Sequence, residues 1–107
     1  MVRGRVTGAQ WEQTVLDLAA RFGWMRAHFR PARTATGGWT TPVAGDGAGF
    51  PDLVLVRRGR ILFVELKAGT GRVTPEQRRW LDELAATPAD VHVWRPEDWD
   101  AIVATLR

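Results

Sequence analysis

The chain contains no cysteine. That excludes a disulfide framework and any zinc site built on thiolates, and it fits a reducing compartment. No apolar run is long enough to span a membrane. The first ten residues, Met1 to Gln10, lack an apolar signal core, so export is not expected. Lysine is nearly missing too. All but one of the 15 basic residues are arginine, and Lys67 is the exception. A GC-rich coding style explains the arginine excess, together with the many alanines and glycines. It does not explain why one lysine survives.

What is present describes one small domain. A length of 107 residues supports a single modest core. Hydrophobic residues at 45% and charged residues at 25% are an ordinary globular balance, so disorder is not indicated. A net charge of +3 and a pI near 10.9 point mildly toward a polyanionic partner. Arginine suits phosphate, because its planar fork binds oxygens in pairs.

Residues 1–8 are basic and glycine-containing and form an expected loose arm. From Ala9 to Phe22 the apolar residues Trp11, Val15, Leu18 and Phe22 fall on one helical stripe, and Gly23 is a natural stop. Trp24 to Phe29 alternates as a strand, with Trp24, Arg26 and His28 on one face. Residues 30–49 are rich in Gly, Pro and Thr and form an expected long loop, with a short extra strand around Trp39 to Val43. Asp52 to Arg57 and Ile61 to Lys67 are strongly β-prone runs joined by a tight hairpin at Arg58, Gly59 and Arg60. Thr74-Pro75-Glu76-Gln77 then announces a helix, with Thr74 as N-cap and Gln77 completing a capping box. It ends near Thr87-Pro88. Val91 to Trp94 gives a fourth strand, and Pro96 to Leu106 a last helix. The resulting class is α/β, a mixed central sheet of about four strands flanked by helices.

The chemistry lies in the middle. Glu65 and Lys67 are two apart on a strand, so they share a face. Asp52 opens the preceding strand, and pairing brings its carboxylate near Glu65. Both strands are otherwise apolar on both faces, which marks them as interior strands. Two converging carboxylates repel, and a divalent cation with hard oxygen ligands relieves that. The competing reading is a Glu65–Lys67 ion pair with Asp52 capping a turn. An arginine would satisfy such a pair equally well in this arginine-rich chain.

Gly49-Phe50-Pro51-Asp52, followed thirteen residues later by Glu65-Leu66-Lys67, resembles the PD-(D/E)XK nuclease superfamily. More narrowly, the chain resembles the VRR-Nuc family. That family shows an acidic residue in its first helix, a G-x-P-D turn, an E-x-K strand and a Gln early in the next helix. The matching positions are Glu12, Gly49 to Asp52, Glu65 to Lys67, and Gln77. The resemblance implies a restriction-endonuclease-like core, one nuclease domain over residues 1–107, and a divalent-metal-dependent endodeoxyribonuclease. It implies that Asp52, Glu65 and the Leu66 backbone carbonyl hold magnesium, with manganese able to substitute. Lys67 then orients the attacking water or stabilises charge on the phosphate. Glu12 and Gln77 complete the implied catalytic set, with the Gln77 amide facing Lys67 or a phosphate. Glu12 also reads simply as a first-turn acid suited to the helix dipole, and Gln77 simply as a cap. Stand-alone members this short resemble the phage and bacterial branch, linked with branched DNA such as four-way (Holliday) junctions. The expected location is the cytoplasm of a bacterium or a phage-infected cell.

Arg57, Arg58 and Arg60 at the hairpin tip, and Arg72, Arg78 and Arg79 around the second helix start, are the candidate DNA contacts. As clusters beside the carboxylates they would neutralise phosphates. Nothing resembles a recognition helix, so base-specific readout is not expected. Gly45, Gly47 and Gly49 either let backbone approach DNA or serve a turn. His28 and His92 are expected to pack or lie at the surface. Trp11, Trp80 and Trp99 fit helix core faces or a subunit interface. Paired cuts in a symmetric junction need two sites, so a homodimer is expected. Two other functions compete: a flap, nicking or restriction-type nuclease, and a catalytically inactive DNA-binding module.

Overall fold

A computed structural model of the chain describes residues 6–29, 32–33, 35–37, 39–40 and 44–107. Most of the expected basic arm, and residues 41–43 of the expected extra strand, lie outside these residues. In order the elements are α1 (Gly8–Arg21), β1 (Met25–His28), β2 (Ala32–Arg33), β3 (Trp39–Thr40), β4 (Leu53–Arg57), β5 (Arg60–Leu66), α2 (Pro75–Ala85), β6 (Asp90–Trp94), a 3-10 turn (Pro96–Asp98) and α3 (Trp99–Leu106). Among the described residues, strands β2 and β3 form a separate two-stranded pair. The other four form one sheet in the order β1-β4-β5-β6. Its first two pairings are antiparallel and the last is parallel. A parallel pair cannot be closed by a tight turn, and α2 with its loops supplies the crossover. The α/β class and the mixed four-stranded sheet match the sequence expectation, and β4 and β5 are its interior strands.

Local chemistry explains the boundaries. Thr7 caps α1 by accepting from the Gln10 N–H, and the Gln10 side chain answers the Thr7 N–H. Thr74 and Gln77 repeat this box at α2, with Pro75 in the first turn. Such a cap contributes about 1 kcal/mol. The β4–β5 hairpin turns through Arg58 and Gly59, both at positive φ, as a two-residue turn of the primed kind demands.

The two faces of the sheet differ. Leu53, Leu55, Leu62, Val64 and Leu66 face α1 and α3 and are buried with Trp11, Val15, Ala19, Ile102 and Leu106. Each fully buried Val, Leu or Ile among them contributes roughly 1.5–3 kcal/mol. The opposite face carries Val54, Val56, Ile61, Phe63 and Glu65. There α2 packs against β6. Phe50 meets Phe29, Phe63 and Trp80 edge-on, at 5.2, 6.1 and 5.0 Å between ring centroids. Farther along, Met25, Val56 and Ile61 form an exposed cross-strand row.

Register also corrects where the hairpin arginines lie. Leu53 pairs with Val64 and Arg57 with Arg60, so the hairpin tip is at the end of the sheet away from Asp52. At about 3.3 Å per residue the separation is roughly 15 Å. Arg57, Arg58 and Arg60 therefore do not flank the carboxylates. Arg57 has a structural task. Its Nη1 donates to the Phe22 and Leu106 carbonyls, both at 2.9 Å, and its Nη2 to that of Arg107 at 3.3 Å. The guanidinium stacks on Trp24 at 4.5 Å. Arg60 pairs with Asp90 at 3.0 Å.

Candidate active site

The site forms where β4 begins and β5 ends. Asp52 is fixed from two sides. Its carbonyl accepts from the Phe29 N–H at 3.0 Å, and its Oδ2 accepts from the Leu66 N–H at 2.8 Å. By strand alternation Glu65 projects from the same face as Val54 and Phe63, toward α2. It is only 2% exposed. Its Oε2 receives the Gln77 amide at 2.9 Å and lies 3.4 Å from Lys67 Nζ. Its Oε1 is buried with no hydrogen-bond partner. Burial, with the Asp52 carboxylate as the second cause, pushes the Glu65 carboxyl up to about 8; Lys67 pulls the other way.

Gln77 holds Glu65 because its own orientation is fixed. Its Oε1 accepts from the Thr74 N–H at 2.9 Å, which leaves Nε2 to point into the site. The cap and the site contact are thus one arrangement. The amide meets Glu65, where Lys67 or a phosphate was the expected partner. Gly49 sets the helix in place. A Cβ there would sit 2.5 to 2.8 Å from atoms of Glu76 and Gln77, and its φ is +83. Its freedom therefore serves a close approach to the start of α2, not to DNA. The Trp80 indole N–H bonds the Asp46 carbonyl at 2.8 Å and ties the same loop to the helix.

Glu12 takes another position. It pairs with His28 Nε2 at 3.3 Å. His28 is opposite Leu53 in register, so this pair lies on the α1 face while Glu65 faces α2. His28, expected to pack or lie at the surface, has a face that alternation makes legible, beside Arg26 and Trp24. His92 packs on Trp94 at 5.1 Å, and burial holds its pKa below the ordinary value. Arg72, Arg78 and Arg79 are exposed around the start of α2, at the carboxylate end. Arg78 reaches Asp82 at 3.6 Å. Arg79 and Trp80 line a groove of about 370 Å³ with Gly45, Asp46, Glu76 and Glu83.

The donors suit a hard divalent cation. Two carboxylates converge, and one buried oxygen has no partner. A backbone oxygen is at hand as well. The Lys67 N–H bonds the Trp94 carbonyl on β6, so the neighbouring Leu66 turns its N–H and carbonyl toward Asp52. Among the described residues no group of three His, Cys, Asp or Glu side chains gathers. The donors available to such an ion are therefore two carboxylates and a carbonyl, a kind of set that suits magnesium.

A mixed sheet that presents two carboxylates, an ammonium and an amide at one end is the architecture of a restriction-endonuclease-like nuclease. The family model of the VRR-NUC domain matches residues 31–97, more than half of the chain, and the protein belongs to that family. It is therefore a nuclease domain. No curated protein and no solved structure matches it. No helix among the described residues is long and apolar enough to cross a membrane.

Proposed function

We propose that this protein is a divalent-metal-dependent endodeoxyribonuclease acting on branched DNA, four-way junctions foremost. The carrying observation is the partnerless Glu65 Oε1, buried beside a second carboxylate. Such an oxygen is costly unless it is protonated or bound to a cation. Asp52, Glu65 and the Leu66 carbonyl would hold magnesium, or manganese in its place. When bound, the ion supplies Lewis acidity toward the phosphate and a lowered pKa for water.

The remaining roles fall to the chain. Lys67 offers a compact charge to the attacking water or to the phosphoryl oxygens. Gln77 holds Glu65 in one orientation. Arg72, Arg78 and Arg79 neutralise phosphates at the α2 end, making affinity fall with salt. Glu12, paired with His28, acts at the α1 side of the same sheet end. The absence of a recognition helix among the described residues favours recognition of shape over sequence. A junction with two symmetric cuts calls for two copies, and the exposed row of Met25, Val56 and Ile61 gives a homodimer an apolar surface to bury.

The test is cleavage of labelled four-way junction, flap, duplex and single-stranded DNA with magnesium, manganese or chelator. Metal-dependent cutting confined to the junction, with a dimer by light scattering, supports the reading. Cutting of flaps or plain duplex overturns the substrate and keeps the site. No cutting with any metal overturns the activity.

A further inference from the structure

Nothing in the local sequence singles out Arg95, between the strand ending at Trp94 and the helix beginning at Pro96. The structure gives it a distinct place. In β5 and β6, Glu65 pairs with Val93 and Leu66 with Trp94. The backbone stays extended through Arg95, at φ −116 and ψ 158. Continuing the register sets Arg95 beside Lys67, on the same face and at the same end of the sheet. Neighbouring strands are about 4.8 Å apart. The sheet end thus carries Asp52, then Glu65 and Lys67, then Arg95, on three adjacent strands.

The guanidinium is held there. Its Nη2 donates to the Gly71 carbonyl at 2.8 Å, and the Arg95 N–H is fixed by Asp98 Oδ2 at 2.9 Å. Gly71 belongs to the turn that backs Lys67: a Cβ on it would lie 3.6 Å from Lys67 Cδ. Its N–H closes that turn on the Ala68 carbonyl at 3.1 Å. Only one edge of the guanidinium fork is used. Arg95 has no carboxylate partner among the described residues, unlike Arg60 with Asp90 and Arg78 with Asp82. A half-buried arginine, clamped by a carbonyl at one nitrogen and beside an active-site lysine, is preorganised for an anion.

We propose that Arg95 is a substrate-contacting residue that grips a DNA phosphate next to the scissile one; this rests on the nuclease reading. Its charge lies across Lys67 from Asp52, so it would hold the strand on the β6 side of the cut.

The test is binding of a labelled four-way junction and of duplex at several salt concentrations. Calcium replaces magnesium, and the DNA is checked for cuts. The proteins are wild type, Arg95→Gln, Arg95→Ala and Arg95→Lys, with thermal melts alongside. A phosphate contact predicts that the Gln and Ala variants lose about one unit of the log–log salt slope and roughly 10-fold in affinity. Arg95→Lys then restores the slope. If Arg95→Ala fails to fold, the Gln and Lys pair decides. A wild-type slope in the Gln variant overturns the proposal, leaving Arg95 as a clamp on the turn. A slope lost equally in the Lys variant overturns it too. Failure of the nuclease reading is separate, because it shows as wild type that cuts nothing in magnesium or manganese.

Discussion

The two ends of the β4–β5 pair are built in opposite ways. At the hairpin end a positive charge is spread over several acceptors, with only its Nε left without a hydrogen bond. Arg57 spreads over three carbonyls and the Trp24 ring, and so ties the C-terminal ends of α1 and α3 to the sheet. At the other end negative charge is left in need. Glu65 is buried beside Asp52 with one oxygen unpartnered. The first arrangement stabilises the fold. The second costs stability and prepares a site, as functional sites commonly do. The same two strands carry both, so mutations at the two ends should separate stability from activity.

The largest effect is expected at the carboxylate end. Lys67→Ala should lower the cleavage rate by about 100- to 1,000-fold, the size seen when one transition-state donor is removed. Its melting temperature should stay near wild type. Rates in magnesium and a thermal melt check both halves. Arg57→Ala should do the reverse. Losing its three carbonyl contacts and the indole stack should cost about 2–4 kcal/mol by urea denaturation. Activity per folded molecule should be kept. Full stability in Arg57→Ala, or a dead but folded enzyme, would remove the contrast.

Two smaller effects sharpen it. Gly49→Ala should cost about 1–3 kcal/mol, since its Cβ would collide with the backbone of α2. It should also lower activity, because the same backbone positions Gln77. Gln77→Ala should lose about 1 kcal/mol of capping. It should also slow cleavage by roughly 10-fold, the order of a lost hydrogen bond of about 1.4 kcal/mol. Gln77→Glu keeps a cap acceptor and adds a carboxylate against Glu65, so it should retain more stability than activity.

Much of this was legible in the sequence, for identifiable reasons. The apolar runs around Asp52 and Glu65 announced interior strands, and the Thr74–Gln77 box announced α2. The two-residue spacing of Glu65 and Lys67 put them on one face. What escaped depends on partners far along the chain. Arg57 looked like a surface cation because its acceptors, Phe22 and Leu106, are 35 and 49 residues away. Gly49 looked like a glycine for a turn or for approach to DNA, because nothing local reveals that α2 begins against it. The amide of Gln77 was expected on Lys67 or a phosphate and meets Glu65, since its cap contact leaves one direction open. Strand ends moved by a residue or so, because ladder pairing decides them and propensity does not. The His28–Glu12 contact and the place of Arg95 were not legible for the same reason: both depend on how separate elements pack and align.

The most direct test of a site held in need is the pH dependence of stability without metal. The Glu65 carboxyl is raised from 4.5 to about 8 in the folded chain. Its favourable contribution is therefore fully present below pH 4.5 and is lost as pH rises through 8. Melts should be run with chelator and with magnesium, for wild type and Glu65→Gln. The expected result is a wild-type melting temperature that falls between pH 5 and 8.5 in chelator and is restored by magnesium. In Glu65→Gln that fall should be much reduced, with little response to magnesium. Matching pH profiles in the two proteins, with no effect of magnesium on either, would contradict a metal site at Asp52 and Glu65.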